Sequence, residues 1–326
     1  MSRRMVITGA LAAVMGGLAA VKLAGGPAGV RLRIKQVFAP PPISRTAFEA
    51  MYTTPLPPLR SPVKIYHLGH SLVGGVLPAM LSQLGGHEYA KQLGWGASLK
   101  QHWQGTADGM DQANDPEHYR EAHDALASGS YDVAVFTEML ELRDAIRWHE
   151  SPLYLAKWIA LAHQARPDLR IYLYETWHWL DDPKGWLERL ESDRTELWED
   201  GVLRPAMGYP DVGTVHVIPG GSVMAAAVRL IEAGRVPGVA SRRDLFAINA
   251  DGSPDPIHFN DLGAYLMALT HYAVIYQQSP EGLPHQLSHA DGTPAAAFTP
   301  DAAAILQKVV WSVVSGYRAT GVPQAE

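Results

Sequence analysis

The stretch VKIYHLGHSLVGG, from Val63 to Gly75, decides how the chain is read. Val63 to Leu68 is a short apolar run with the character of a strand. Gly69-His70-Ser71-Leu72 follows it. A nucleophile elbow at the heart of an α/β sheet places glycines two residues before and two after its serine. Gly69 fits, but the second position is Val73, and the glycines arrive one residue late, at Gly74 and Gly75. Such an elbow also follows several earlier strands, whereas an expected signal and a proline linker are what is read before Val63. Ser71 is therefore read as lying after the first strand of its domain, at the entrance to a helix over Gly74 to Leu84. Pro78 near the first turn of that helix is tolerated there. Backbone N–H groups and the positive end of a helix suit a developing negative charge at this place. Position alone favours Ser71 as a simple helix cap.

The chain has 326 residues, 47% hydrophobic and 18% charged, a globular composition. A formal charge of −6, with no basic block after the N-terminus, argues against a nucleic-acid partner. There is no Cys, which excludes disulfides, thiolate metal sites and a Cys nucleophile. Ser2-Arg3-Arg4 precedes an apolar run from Met5 to about Ala24. Residues 1–36 are expected to be an export signal or an N-terminal membrane anchor. Ser-Arg-Arg-Met-Val-Ile is similar to a twin-arginine signal. The protein is then expected to be exported, or anchored facing the periplasm or the extracellular side, with membrane contact only through this segment. Residues 37–61, with APPPIS and TTPLPPLRSP, read as a Pro-rich linker. The globular domain is expected over 62–326.

From Val63 onward strands and helices alternate. Strands are predicted at Val63–Leu68, His87–Leu93, Tyr131–Met139, Arg170–Thr176 and Thr214–Gly220. Helices are predicted at Asp115–Leu126, at Ser151–Ala165 with Ser151 as N-cap, at Lys184–Leu203, at Ser222–Gly234 and at Phe259–Gln277. Phe298–Ala319 reads as one more amphipathic helix, packed on the domain or covering the site. The expected fold is α/β, three layers deep, with a central parallel sheet of about five strands. Ligands of such sheets lie at the carboxyl ends of the strands, so chemistry is sought in the loops after Leu68, Leu93, Met139, Thr176 and Pro219.

A serine hydroxyl needs a general base. The candidate is in DGSPDPIHFNDLGAY, Asp251 to Tyr265, where Asp255 and His258 stand three apart just before a helix. A His held by a carboxylate is the second half of a serine triad; the bland alternative is a capping Asp beside a surface His. The two halves support each other, because both loops should open at the same edge of the sheet. No cofactor and no metal are expected. His67 and His70 lie mostly on a strand, whose alternation parts their side chains, and no His-Glu-x-x-His motif occurs.

At these residues the chain resembles the SGNH/GDSL hydrolase superfamily, over about Val63 to Pro284. Ser71 in GHSL matches the first family block and Asp255-Pro256-Ile257-His258 the last. Gly96 in GWGASLKQHW matches the second, with Gly94 as the alternative register. The resemblance implies a flavodoxin-like sheet and an esterase or acyl hydrolase. It implies catalysis by Ser71, His258 and Asp255, with the N–H groups of Ser71 and Gly96 as oxyanion hole. The third block departs. Its Gly-x-Asn-Asp supplies an Asn donor, whereas here the strand runs into FTEMLELRDAI, with Thr137, Glu138 or Glu141 in the neighbourhood. Losing such a donor costs on the order of 3 kcal/mol. Thr137, Trp177 and Asn260 are the candidates to replace it. Glu138 is read as a buried structural acid or a substrate-binding group. Trp177 and Trp179, in YETWHWLDD, either stack on a sugar face or pack at the sheet edge. The implied substrate is a small-molecule or carbohydrate ester, O-acetylated carbohydrate among them. A catalytically weak glycan-binding relative, an O-acyltransferase and a membrane-anchored interaction protein are the alternatives.

Overall fold

In a computed structural model, which describes residues 39–59 and 63–324, the predicted apolar runs pair as strands. The chain divides into two units, Met1–Pro41 and Pro42–Glu326. The first falls almost wholly outside the described residues, and with it the expected export signal or anchor.

The second unit opens with α1 (Arg45–Ala50), β1 (Lys64–His70), α2 (Val76–Gly85), β2 (Glu88–Gly94), α3 (Leu99–Gln104), α4 (Met110–Ala113) and α5 (Ala122–Ala127). It continues through β3 (Val133–Phe136), α6 (Leu142–Trp148), α7 (Ser151–Ala165), β4 (Arg170–Glu175) and α8 (Trp186–Asp193), then α9 (Arg204–Ala206), β5 (His216–Pro219) and α10 (Gly220–Glu232). It closes with β6 (Phe246–Ile248), β7 (Pro254–Phe259), α11 (Asp261–Tyr276) and α12 (Pro300–Gly316). The main sheet has five parallel strands in the order β2-β1-β3-β4-β5. The chain therefore steps one way from β1 to β2 and the other way from β1 to β3. The crevice at the carboxyl ends of β1 and β3 is the topological switch point of a doubly wound sheet, where ligands bind.

Strand alternation builds the three layers. Ile65, Val133, Val135, Tyr172, Tyr174 and Ile218 point to one face and share a core with α2, α8, α10, α11 and α12. Tyr66, Leu68, Ala134, Phe136, Ile171, Leu173 and Val217 point to the other and share a core with α3, α5, α6 and α7. The α/β three-layer fold with a five-stranded parallel sheet is thus present.

Local differences have local causes. The helix predicted from Asp115 begins only at Ala122, because Asp115 is committed to a turn. Its carboxylate accepts from the His118 amide (2.9 Å) and ring (2.7 Å) and pairs with the buried Lys91 (2.9 Å). Ser151 is the first residue of α7 and Glu150, at φ 56°, holds the N-cap position. The helix predicted over Lys184–Leu203 starts at Trp186 and widens into π-helical turns from Arg194 to Leu203. Part of the stretch expected as linker is folded onto the domain. Phe48 and Tyr52 are buried, the Tyr52 hydroxyl donates to the Val215 carbonyl (2.6 Å), and the Leu56 amide donates to Gly321 (2.8 Å). Alternating Pro and apolar residues there follow the domain surface instead of spanning away from it. The segment of Asp255 and His258, expected as turn-rich, is a strand of the antiparallel β6–β7 pair. α12 packs in the core with α10 and α11. Among the described residues no helix is long and apolar enough to cross a membrane.

Candidate active site

β1 ends at His70, paired with Gly94 at the end of β2. The chain then turns, the Val73 amide donating to the His70 carbonyl (2.9 Å), and α2 starts only at Val76 with Gly75 as N-cap. Ser71 is therefore not the cap of this helix, and its hydroxyl is available for other work. Gly69 is a close-approach glycine. A Cβ there would lie 2.5 Å from Thr137 Cγ2 on the neighbouring strand's extension.

Two buried histidines fix this turn. His70 Nδ1 accepts from the Leu72 amide (3.3 Å), so its proton sits on Nε2, which donates to the Glu138 carbonyl (2.9 Å). His102 Nε2 donates to the Gly69 carbonyl (2.8 Å), while its Nδ1 accepts from Gln92 Nε2 (3.0 Å). The Gln92 carbonyl oxygen in turn accepts from the Ala122 amide (2.8 Å). Burial pushes both imidazoles down to about 4, against the opposing pull of these carbonyls, so both are neutral and keep their tautomers at neutral pH.

On β7, Asp255 Oδ1 accepts from the amides of Ile257 (2.8 Å) and His258 (2.7 Å), and Oδ2 faces His258 Nδ1 at 2.9 Å. Burial pushes this carboxyl up. The two amides and the imidazole together outweigh it and hold Asp255 below the ordinary carboxylate range. An ionised Asp255 can only accept, so Nδ1 carries the proton and the lone pair of Nε2 faces outward. There Ser71 Oγ lies 2.9 Å away. Ser71, 187 residues before His258 in sequence, thus joins His258 and Asp255 in one continuous hydrogen-bonded chain. The loop after β4 braces it. Trp177 Nε1 donates to the Ile257 carbonyl (2.8 Å) and the Leu180 amide to Pro256 (2.8 Å).

The chain opens into a cleft of about 470 Å³. It is lined by His70, Ser71, Gly96 and His258, by the apolar Leu72, Leu140 and Ile257, and by Trp95 and Trp179. Gly96 has φ +52°, and a Cβ on it would meet nothing. Among the described residues, neither the Ser71 nor the Gly96 amide is paired with a protein acceptor. Gly94, the alternative register, is a packing glycine whose Cβ would come within 2.8 Å of Ala97 Cβ.

The auxiliary candidates fall elsewhere. Thr137 is buried and its hydroxyl donates to the Tyr174 carbonyl (2.8 Å). Trp177 is buried and its N–H is taken by Ile257. Asn260 caps α11, accepting from Leu262 and Gly263 and donating to the carbonyls of Asp244 and Phe246. None of the three lines the cleft, because each polar group is spent on backbone. Glu138 is also buried. It accepts from the amides of Met139 (2.8 Å) and Leu99 (3.2 Å), tying the end of β3 to the start of α3 just past Gly96, and burial raises it to about 7 against those amides. Glu141 instead pairs with Arg189 (2.8 Å). Sequence reasoning missed His70, His102 and Trp95. The buried polar spacing of His102 on a short helix had no periodic signal to reveal it.

No protein-family model and no curated protein sequence matches the chain. Solved structures similar to it include a DUF4886 family protein from Bacteroides uniformis, 15% identical with TM-score 0.49, covering 77% of this chain and 94% of that one. A GDSL-like lipase candidate from Parabacteroides merdae is 13% identical with TM-score 0.41, covering 67% and 97%. A carbohydrate esterase family 2 enzyme with a carbohydrate-binding domain, from Corynascus (Myceliophthora fergusii), is 12% identical with TM-score 0.29, covering 50% and 58%. At these values the likenesses carry no argument about activity, which rests on the geometry of this chain.

Proposed function

We propose that the protein is a serine ester hydrolase of the SGNH/GDSL type, with O-acetylated carbohydrate as the substrate class its aromatic cleft favours. The observation that carries the reading is the Ser71–His258–Asp255 chain, with 2.9 Å at each link, opening into the cleft at the switch point of the sheet.

Ser71 Oγ attacks the ester carbonyl carbon as its proton passes to His258 Nε2. Asp255 stabilises the imidazolium and holds the ring. The carbonyl oxygen, now an oxyanion, accepts from the Ser71 and Gly96 amides. Collapse breaks the bond to the alcohol oxygen, which leaves with the proton from His258. Water then attacks the acyl-serine, giving its proton to Nε2. The second collapse restores Ser71 and releases the carboxylic acid. Among the described residues that line the cleft, the segment after β3 contributes Leu140 and no side-chain donor. A hole with fewer donors slows acylation and deacylation alike, and a weakly hydrolytic relative that discharges its acyl-enzyme to an acceptor alcohol is the second reading.

An export signal or anchor over residues 1–36 would put the enzyme where envelope or external polysaccharide is found. The test is hydrolysis of ethyl acetate by the full chain, with Ser71→Ala alongside. Acid release by the wild type that falls at least about 10³-fold in the variant supports the reading. Equal release by both sinks it. A serine acylated without net hydrolysis, discharged when a polyol is added, selects the transferase.

A further inference from the structure

The proposed reaction does not use the two tryptophans of the cleft. Trp95 is 59% exposed and Trp179 38%, unusual for the largest apolar side chain, and both line the cavity over Ser71. Neither is a loose surface residue. Trp95 lies between Gly94, paired with His70, and Gly96, and its amide donates to the Asp108 carbonyl (2.7 Å). Its ring lies on Gly109, where a Cβ would come within 2.2 Å of Cδ2. A glycine at φ +69° thus supports the indole while the ring remains largely exposed. Trp179 is set between Trp177 and Leu180, both bonded to the strand that carries His258. The two indoles are therefore set on the loops after β2 and β4, the first beside the strand that ends before Ser71 and the second bonded to the strand that carries His258.

The rest of the lining sets the chemistry of the occupant. None of it is Lys, Arg, Asp or Glu, so nothing pairs with a phosphate, carboxylate or ammonium group. The apolar patch beside Ser71 is small, made by Leu72, Leu140 and Ile257. An exposed, rigid aromatic face matches the C–H face of a pyranose ring, which is apolar while its rim is hydroxylated. The cavity is in the size range of small-molecule sites.

Resting on the hydrolase reading, we infer that Trp95 is the stacking platform for the sugar of the substrate, with Trp179 as a second aromatic face, and that the substrate is a neutral pyranoside carrying a short acyl ester. The acyl group lies against Leu140 and Ile257, and the ring presents its ester oxygen to Ser71.

The test has two arms on the full chain. In the first, kcat/KM for a per-acetylated methyl pyranoside is divided by kcat/KM for ethyl acetate, in wild type, Trp95→Ala and Trp95→Phe. The expected ratio falls at least tenfold in Trp95→Ala and less in Trp95→Phe, which keeps a smaller face. In the second, Ser71→Ala is titrated with the acetylated pyranoside and its indole fluorescence followed; a saturable change, lost when Trp95→Ala is added, is expected. An unchanged ratio, or a fluorescence change indifferent to Trp95, overturns the inference even if ethyl acetate is hydrolysed. Preference for long-chain or anionic esters also overturns it. If no ester is hydrolysed but the Trp95-dependent fluorescence change occurs, the hydrolase reading fails and the sugar platform stands.

Discussion

Trp177 and Ile257, 80 residues apart, meet through a 2.8 Å bond from the buried indole N–H to the carbonyl beside His258. The indole therefore braces the strand that carries His258, the proposed general base, without lining the cleft. Trp177→Phe keeps most of the buried ring and removes the donor. Stability is expected to fall by about 1 kcal/mol, the worth of an ordinary hydrogen bond. In ester hydrolysis kcat should fall about tenfold with a smaller change in KM, because a loosened base affects the transition state more than binding. Urea unfolding and steady-state kinetics read the two effects. An unchanged kcat would mean that His258 holds its place without this brace.

Gly69 and Gly96 should fail differently. Gly69→Ala pushes a methyl against Thr137 between packed strands, so its main effect is a loss of about 1–3 kcal/mol in stability. Gly96→Ala meets no atom, and only its left-handed backbone is penalised, by about 1–2 kcal/mol. Its amide is the proposed oxyanion donor, so kcat should drop by about 10²-fold for any backbone shift that takes the N–H away. Kinetics paired with thermal melts separates the cases. A fully active Gly96→Ala would remove Gly96 from the oxyanion hole.

Stability should rise with pH across the mildly acidic range. Burial lowers His70, His87, His102, His216 and His271 to about 4. In the unfolded chain imidazoles titrate near 6.5, so between about 4 and 6.5 the unfolded state binds more protons and stability climbs with pH. Glu138 and Glu175, raised by burial to about 7 from 4.5, oppose this; their contribution is full below 4.5 and lost as pH rises towards 7. Burial also lowers His67, His149 and His178, so the lowered imidazoles outnumber the two carboxyls and leave a net rise. Glu138→Gln removes one opposing group and should steepen it. Urea midpoints near pH 5, 6 and 7 provide the check, and a midpoint falling from 5 to 6 in the wild type would contradict the assignment.

The layers were legible because buried parallel strands read as apolar runs, and Val133–Phe136 or Arg170–Glu175 carry that signature in four to six residues. Ser71, Asp255 and His258 were legible through spacing and chain order. What escaped was set by tertiary neighbours. Thr137, Trp177 and Asn260 are chemically able to donate, and no local pattern tells that backbone carbonyls already claim each of them. Trp95 and Trp177 look alike in sequence. Only the packing of one on Gly109 and of the other inside the core separates an exposed wall from a buried brace. The proline-rich stretch misled because proline fixes an extended chain equally well in a linker and in a strap laid on a domain.

In the proposed site His258 makes Ser71 a nucleophile. Intact-mass analysis of the full chain after exposure to a small fluorophosphonate tests it without knowledge of the substrate. One adduct per chain is expected, mapped to Ser71, with a labelling rate that falls at least about 10²-fold in His258→Ala. No adduct on the folded wild type, or labelling of Ser71 at the same rate without His258, would contradict it.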